Sequence, residues 1–290
     1  MPLRPDDPTS ERAPLAPPLA PPLSHAEPPA LRIYTRAELR EIDRLAIEHY
    51  GIPILVLIEN AAFQLALVAS ELLPAPSRSA LIVCSRGNNG ADALALARHL
   101  HNAGWNLHLL LSHPPEAFRD PAAIHLHTAR QMGIPIHVST AHSAAIDVPH
   151  LLASFATPTL IIDALLGTGA ERPIEPSTSI AALITAINAA RTPTSIAPHT
   201  DRPRPIILSI DLPSALDADT GLPLAPEPEP CVRADITVSF LGLKRGFTFP
   251  HARPFLGRVI IAPINAPRAI EHQLGTPTTR SAHQSLFESR

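Results

Sequence analysis

Three groups of polar residues follow apolar runs that are predicted to be strands, and their side chains could bind a ligand. The first group, Gly87-Asn88-Asn89-Gly90, follows residues 81–84 and precedes a helical pattern. A strand, a glycine turn and a helix N-terminus form an anion-binding arrangement, because backbone N–H groups and the positive end of the helix dipole converge there. A purely structural turn has the same pattern, so this loop alone does not define a site.

The other two groups each place an aspartate at the end of an apolar run. Asp163 ends the run 160–163 and precedes a Gly-Thr-Gly loop, and Asp211 follows the run 206–210 and precedes Pro213-Ser214. Either aspartate alone is explained as a turn former or helix cap. Because ligands of open α/β sheets bind outside the carboxyl ends of the strands, the three strand ends together predict one shared site.

The residue types narrow the chemistry of this site without deciding it. Carboxylate and amide oxygens suit a hard cation, and the same groups suit a ribose or a phosphate. The sequence has no Gly-Lys-Ser/Thr, which excludes a Walker P-loop. The spacing Gly87-x-x-Gly90 differs from the G-x-G-x-x-G fingerprint, so hydride transfer to bound NAD is not supported.

Composition limits the class of protein. The chain has 290 residues and a formal net charge of −3, which gives no basic field for general nucleic-acid binding. No run of about 18 uninterrupted apolar residues is present, so we expect no membrane span. The first 30 residues lack the apolar core of a secretory signal. We therefore expect a cytoplasmic protein.

The chain is predicted to have one folded domain between two tails. Residues 1–30 form a Pro-rich tail expected to be disordered, residues 31–266 the domain, and residues 267–290 a C-terminal tail. Two exposed insertions are expected at 192–205 and 222–230.

Helices and strands alternate over most of the predicted domain. Thr35 to Glu38 match a capping box that opens a first helix, and a second helix over 54–73 is apolar enough to pack against a sheet or a partner subunit. Strands are predicted at 80–84, 107–111, 135–138, 159–163, 206–210, 235–240 and 257–261, and further helices at 91–102, 121–132, 146–155 and 177–190. This order favours a largely parallel sheet covered on both faces, with the last two strands, which have no helix between them, at one edge.

Five motifs in this order resemble the NAD(P)H-hydrate epimerase family, over about residues 33–264. They are Leu57-Ile58-Glu59-Asn60-Ala61-Ala62, Gly87-Asn88-Asn89-Gly90-Ala91-Asp92, Asp163-Ala164-Leu165-Leu166-Gly167-Thr168-Gly169, Ile210-Asp211-Leu212-Pro213-Ser214-Ala215-Leu216-Asp217, and Ala234-Asp235-Ile236-Thr237-Val238-Ser239-Phe240 with Lys244 and Gly246. The resemblance implies a Rossmann-like three-layer αβα sandwich with a mostly parallel central sheet. It also implies an isomerase, often a homodimer, that interconverts the R and S forms of hydrated NADH or NADPH at nicotinamide C6.

The resemblance further implies the site residues. Substrate contacts are expected from two loops and from Asp211; the loop residues are Asn88, Asn89, Gly90, Ala91 and Asp92, and Gly167, Thr168, Gly169, Ala170, Glu171, Arg172 and Pro173. A potassium ion is expected near Asn89, Asp163 and Ser214. We hypothesise that Asp211 transfers the proton and expect a separate protein to supply the dehydratase that uses one epimer.

Four residues stand where this family usually has glycine: Ser85, Ala91, Ala93 and Ala215. If one of these positions requires a positive φ, an alanine there costs about 1 kcal/mol or more. Ala91 and Ala93 are expected to open a helix, where alanine is favourable, so Ala215 is the position of most consequence. The alternative function is therefore a catalytically weakened nucleotide-binding relative with the same fold.

Overall fold

The computed structural model describes residues 31–73, 75, 78–155, 159–191, 204–224 and 231–278. The predicted tail 1–30, most of the two predicted insertions and the end of the chain from 279 lie outside the described residues.

Ten strands and eight α-helices occur in the described part of the chain. In chain order they are β1 (Arg32–Tyr34), α1 (Arg36–Glu48), α2 (Ile54–Leu72), β2 (Ser79–Cys84), α3 (Asn88–Asn102), β3 (Asn106–Leu111), α4 (Ala122–Gln131), β4 (Ile136–Val138), α5 (Ala144–Ser154), β5 (Thr159–Ala164), α6 (Ser179–Ala189), β6 (Ile206–Ile210), β7 (Ile236–Phe240), β8 (Leu243–Lys244), α7 (Arg253–Leu256), β9 (Arg258–Ala262), α8 (Arg268–Gln273) and β10 (Thr276–Pro277). The seven strands that the sequence predicts are all present, with ends that differ by one residue at most.

The central sheet has seven strands in the order β4-β3-β2-β5-β6-β7-β9, and all six pairings are parallel. One face packs on apolar residues of α2, α3 and α4, and the other on those of α5, α6 and α7. These layers confirm the predicted Rossmann-like αβα sandwich. The strand order reverses between β2 and β5, which is where a fold of this kind forms its ligand crevice.

Helix α1 begins with the predicted capping box. The Thr35 side chain accepts a hydrogen bond from the backbone N–H of Glu38, and the Glu38 carboxylate accepts one from the backbone N–H of Thr35. The helix has apolar residues on one face only, with Leu39, Ile42 and Ala46 buried. Its N-terminus is therefore held in place, and its polar face remains available to other parts of the molecule.

A second, three-stranded sheet with the order β10-β1-β8 was not apparent in the sequence, because its strands are only two or three residues long. It corrects the predicted domain end at residue 266. Helix α8 and β10 continue the folded structure, and the Arg32 guanidinium donates hydrogen bonds to the carbonyls of Leu274 and Gly275. The described fold thus extends to Thr278, whose N–H bonds the carbonyl of Leu31.

Two further details differ from the prediction. The four-residue helix α7 lies between β7 and β9, where the pattern predicts no helix, although both strands are at the expected sheet edge. Helix α2 is long and apolar enough to cross a membrane by length and composition alone. One of its faces is buried and packs on α3, as in the core helix of a globular fold.

Candidate active site

A cavity of about 430 Å³ lies at the carboxyl ends of β2, β5, β6 and β7, next to the point of strand-order reversal. Its walls come from α1, α2, the start of α3 and the loops that follow the strands. One part is apolar, with side chains such as Leu39, Ile58 and Phe240, and the other is polar. The charged side chains that line it are Arg40, Asp43, Asp92, Asp211 and Lys244. Its size and mixed lining are those of a small-molecule site.

The predicted Asn-Asn loop forms the first turn of α3. Asn88, Asn89 and Asp92 line the cavity, whereas Gly90 and Ala91 are buried behind them. A Cβ atom at Gly90 would collide with the backbone carbonyl of Ser85, so only glycine fits there. This close approach of helix and strand end fixes the N-terminus of α3, with its free N–H groups, against the cavity.

Asp163, at the end of β5, is fully buried and holds several elements together. Its carboxylate accepts hydrogen bonds from the Ser209 hydroxyl (2.8 Å) and from both the hydroxyl (2.5 Å) and the backbone N–H (2.9 Å) of Ser214. Burial raises the pKa of Asp163, and these hydrogen bonds oppose that effect. Among the described residues it forms no ion pair.

Asn89 and Ser214 converge on the carbonyl of Leu166. The Asn89 amide N–H donates to this oxygen at 2.9 Å, and the Ser214 hydroxyl lies 3.3 Å from it. The other side-chain atom of Asn89, Oδ1, is buried and accepts no hydrogen bond from any residue that the structure describes. The three predicted metal-site residues, Asn89, Asp163 and Ser214, therefore lie close together. Ser214 contacts the Asp163 carboxylate, and both Ser214 and Asn89 contact the carbonyl oxygen of Leu166.

The predicted loop 167–173 contributes to the cavity through its first half only. Gly167, Thr168, Gly169 and Ala170 line it, whereas Glu171, Arg172 and Pro173 do not. A Cβ atom on Gly167 would lie 3.1 Å from Cβ of Asn89, so the two loops are in close contact. Glu171 instead pairs with Arg40 of α1, at 2.5 Å.

Asp211 follows β6 and projects into the cavity from an uncommon backbone conformation, with φ of 68°. Its Oδ1 lies 2.5 Å from the ammonium of Lys244, and its Oδ2 accepts a hydrogen bond from the Thr168 N–H at 3.2 Å. Lys244 is itself buried and also donates to the carbonyl of Phe240. Both oxygens of Asp211 are therefore held by donors, as expected for an ionised carboxylate.

Sequence reasoning missed three side chains of this region. Lys244 is present in a quoted motif but without a role, and Asp43 and Arg36 lie on α1, which carries no catalytic motif. Arg36 is buried; its guanidinium contacts the Asp217 carboxylate at 2.5 Å and donates to the carbonyl of Thr168 at 2.8 Å. No signal in the sequence points to these contacts, because they join residues more than 130 positions apart.

Three carboxyl groups of the cavity influence one another. Burial, and next the negative charge of Asp211, raise the pKa of Asp92 well above its usual range. Burial and the charge of Asp211 also raise the pKa of Asp43 to about 6, against the opposing effect of Lys244. Asp43 is an exposed residue that lines the cavity, so a ligand can reach its carboxyl group.

The glycine replacements fall into two kinds. Ala91 and Ala93 are buried within α3, where alanine is favourable. Ala215 has φ of 72°. This position therefore requires the left-handed conformation, which is unfavourable for alanine. Ser85 does not adopt a positive φ. Among the four glycine replacements, only Ala215 therefore has an unfavourable backbone conformation.

An all-parallel sheet with a polar cavity at its strand-order reversal defines the class of Rossmann-like α/β ligand-binding proteins. Residues 54–246 match the family described as YjeF-related protein N-terminus. The chain is 36% identical over 245 residues to the NAD(P)H-hydrate epimerase of Pirellula staleyi, covering 84% of this chain and 96% of that protein. The chain belongs to the NAD(P)H-hydrate epimerase family, as the motifs predict.

Two further comparisons concern domain content and fold. The bifunctional NAD(P)H-hydrate repair enzyme Nnr of Moorella thermoacetica is 32% identical over 82% of this chain, which spans 41% of that longer protein. The crystal structure of the yeast protein ynu0 has a TM-score of 0.62 at 19% identity, and the match covers 85% of this chain and 95% of that one. This likeness supports the fold.

Proposed function

We propose that this protein epimerises hydrated NADH and NADPH at C6 of the nicotinamide ring. The observation that carries the proposal is the cavity at the strand-order reversal, which Asp43, Asp92 and the ion pair of Asp211 with buried Lys244 line together in a chain of this family. Relatives that the chain covers almost completely carry the name of this activity.

The cavity lining suits the charge that such a reaction develops. The C6 hydroxyl of the hydrate is next to the ring nitrogen, whose lone pair stabilises the cation left when the protonated hydroxyl departs as water. The two basic side chains that line the cavity are each paired with a carboxylate, Lys244 with Asp211 and Arg40 with Glu171. A cationic ring in the cavity therefore faces the carboxyl oxygens of Asp43, Asp92 and Asp211 and no unpaired cation of the lining, and preorganised polar groups act strongly in a confined site.

Asp211 is the proposed proton-transfer group. Its carboxylate is exposed to the cavity, and its contacts with Lys244 and the Thr168 N–H hold it in one orientation. A carboxyl group positioned in this way transfers a proton efficiently once the reacting oxygen is within hydrogen-bond reach. Asn88, Asn89 and the loop 167–170 are the proposed contacts to the rest of the nucleotide, with the start of α3 facing its phosphates.

A potassium ion is the proposed cofactor, and the residues fit one. The buried Asn89 Oδ1 has no donor among the described residues, and the neighbouring Asp163 carboxylate is buried without a cationic side chain that the structure describes. A buried negative charge is energetically costly unless positive charge or hydrogen-bond donors compensate it. The side chains of Asn89, Asp163 and Ser214 all offer oxygen atoms, which are the ligands that a hard cation prefers. Asn89, Asp163 and Ser214 would hold the ion, which supplies positive charge and orders the loops.

Thermal unfolding tests this ion without an activity assay. We expect a higher midpoint in potassium chloride than in choline chloride of equal ionic strength, because a ligand that binds only the folded state adds about 1.4 kcal/mol at ten times its Kd. The Asn89→Leu variant, which removes Oδ1, should lose the difference. Equal midpoints of the wild type in the two salts would contradict the proposal.

Three proposals concern the partners and the location of the enzyme. A second copy of the chain is the proposed partner of the exposed apolar residues Val56, Phe63 and Leu67, which share one face of α2. A separate dehydratase is the proposed enzyme that consumes one epimer. This proposal is supported by longer relatives that are named bifunctional NAD(P)H-hydrate repair enzymes. We also propose a cytoplasmic location, with which the buried thiol of Cys84 is consistent.

A coupled assay tests the activity. Hydrated NADH generated in acid is a mixture of epimers, and a dehydratase specific for one of them consumes the other only as fast as it epimerises spontaneously. Addition of the purified protein should bring the second epimer to rapid, complete consumption. Unchanged slow consumption, together with retained binding of the hydrate, would instead favour the catalytically weakened nucleotide-binding relative.

A further inference from the structure

Asp43 is a carboxyl group of the cavity that no sequence motif assigns. It lies on α1, outside the residues 54–246 that match the family, and its side chain lines the cavity beside Leu39 and Arg40. Within the described chain its carboxyl group makes no hydrogen bond and no ion pair, in contrast to Asp211. It is therefore a reachable acid with unused hydrogen-bonding capacity.

The charged groups that line the cavity with Asp43 come from four parts of the fold. Asp211 follows β6, Lys244 ends β8, Asp92 is on α3 and Arg40 is one turn earlier on α1, whereas the part of α2 that lines the cavity is apolar. Asp211 and Asp92 disfavour a further negative charge nearby, and burial acts in the same direction. Lys244, which would favour that charge, is occupied by Asp211 at 2.5 Å. Asp43 therefore keeps its proton to a higher pH than an ordinary aspartic acid.

Inversion at C6 requires two groups, because water must leave from one face of the ring and add to the other. Asp211 approaches the cavity from the sheet edge, and Asp43 approaches it from the helical wall. We propose that Asp43 is a second catalytic residue, which transfers a proton at one face of the nicotinamide ring while Asp211 does so at the other. This inference rests on the proposed epimerase function.

The proposed steps balance. The Asp43 carboxyl donates its proton to the C6 hydroxyl, the C6–O bond breaks to release water, and the nitrogen lone pair forms a double bond to C6. A water molecule then adds to C6 from the opposite face, the double-bond electrons return to nitrogen, and Asp211 accepts the proton that the water loses. Asp43 is left ionised and Asp211 protonated, and these are the states that convert the opposite epimer.

Kinetics of the full-length Asp43→Asn variant test the proposal. We expect its epimerisation kcat to fall by about 10²- to 10⁴-fold, the usual contribution of one acid–base group. The matched control is Glu48→Gln, an acid-to-amide change on the exposed face of the same helix, where Glu48 pairs with Arg44. The control should stay within about twofold of the wild type, since exposed pairs contribute little. Should Asp43→Asn fold poorly, Asp43→Ser provides the same comparison.

The pH profile separates a catalytic role from a structural one. The protonated form of Asp43 is the donor, so the kcat of the wild type should fall as the pH rises above about 6, the pKa that the cavity gives this group. The amide variant should lack this limb and still bind the hydrate. An Asp43→Asn enzyme that keeps the wild-type rate would overturn the inference and leave the proposed function intact. A wild-type protein without epimerase activity would instead overturn the proposed function.

Discussion

At the scale of single residues, Asp211 combines a positive φ with an ion pair. A non-glycine residue at φ of 68° is uncommon, although Asp and Asn adopt this region more readily than other residues. The conformation turns the carboxylate from the end of β6 into the cavity, where Lys244 and the Thr168 N–H hold it. The free-energy cost of this backbone conformation is thus tolerated at Asp211, the residue with the proposed role in proton transfer.

The Asp211→Asn variant tests that role while keeping the backbone conformation. Asparagine is isosteric and tolerates the left-handed region, so the fold should remain, while loss of the proton acceptor should lower kcat by about 10²- to 10⁴-fold. Steady-state epimerisation and the thermal midpoint are measured together, with the exposed Glu116→Gln as control. Full activity in Asp211→Asn would show that the proton is transferred elsewhere.

Ala215 offers a test of backbone strain. It is buried at φ of 72°, where an alanine Cβ is unfavourable by about 1–2 kcal/mol, so Ala215→Gly should raise the free energy of unfolding by about 1 kcal/mol. Urea denaturation measures the change. The same substitution at Ala182, inside α6, should have the opposite sign and cost about 1 kcal/mol. Destabilisation by Ala215→Gly would mean that the Cβ packing at this site outweighs the strain.

At the scale of secondary-structure elements, α1 has a larger role than its sequence indicates. Its first residue, Arg36, joins the loop after β5 to Asp217 in the loop after β6, and its backbone N–H bonds the Asp219 carboxylate at 2.9 Å. Further along the helix, Arg40 and Asp43 line the cavity. One helix therefore fixes the loop that carries Thr168 and closes one wall of the site.

The Arg36→Met variant tests this anchoring. Methionine keeps an unbranched apolar side chain but leaves the buried Asp217 carboxylate without its cation, which typically costs about 3–5 kcal/mol. Asp217 also accepts hydrogen bonds from Thr220 and Asp219, so we expect about 3 kcal/mol in urea denaturation. Arg44→Met, which breaks half-exposed pairs on the same helix, should cost less than about 1 kcal/mol. Equal effects of the two variants would refute the anchoring role.

At the scale of the whole molecule, the exposed face of α2 predicts self-association. Val56, Phe63 and Leu67 are each about half exposed, at 46%, 51% and 47%, although the opposite face of the helix packs within the fold. A contiguous apolar surface of this kind is typical of an interface.

The Leu67→Glu variant tests the proposed dimer, because a carboxylate at the centre of an apolar interface would be desolvated without a partner. Light scattering coupled to size exclusion should report a dimer for the wild type and a monomer for this variant. Ile146→Glu places the same change on α5, where the side chain is 70% exposed and distant in the fold from α2, and should leave the dimer intact. A monomeric wild type that binds lipid vesicles through α2 would contradict the proposal.

Much of the architecture could be predicted from the sequence, because it follows from local patterns. Short apolar runs between turn residues identify the seven main strands, and the Thr35–Glu38 spacing identifies the start of α1. The two-residue strands and α8 are too short to carry such a pattern, which is why the predicted domain end fell before them. The motifs also placed Asn88, Asn89, Asp92, Asp211 and the loop 167–170 at the cavity.

The α/β class, the family and the strand ends that carry polar groups follow from the sequence alone, since each of these is encoded in consecutive residues. Which of those polar groups meet depends on the three-dimensional fold. Asn89 bonds the carbonyl of Leu166, which is 77 positions away in the sequence, and Asp43 lines the cavity from a helix without a catalytic motif. Neither contact is visible in the sequence, because the order of the parallel strands and the docking of α1 are set by non-local packing. The left-handed conformations of Asp211 and Ala215 are likewise imposed by the surrounding fold, since neither residue type would adopt them from its own preference alone.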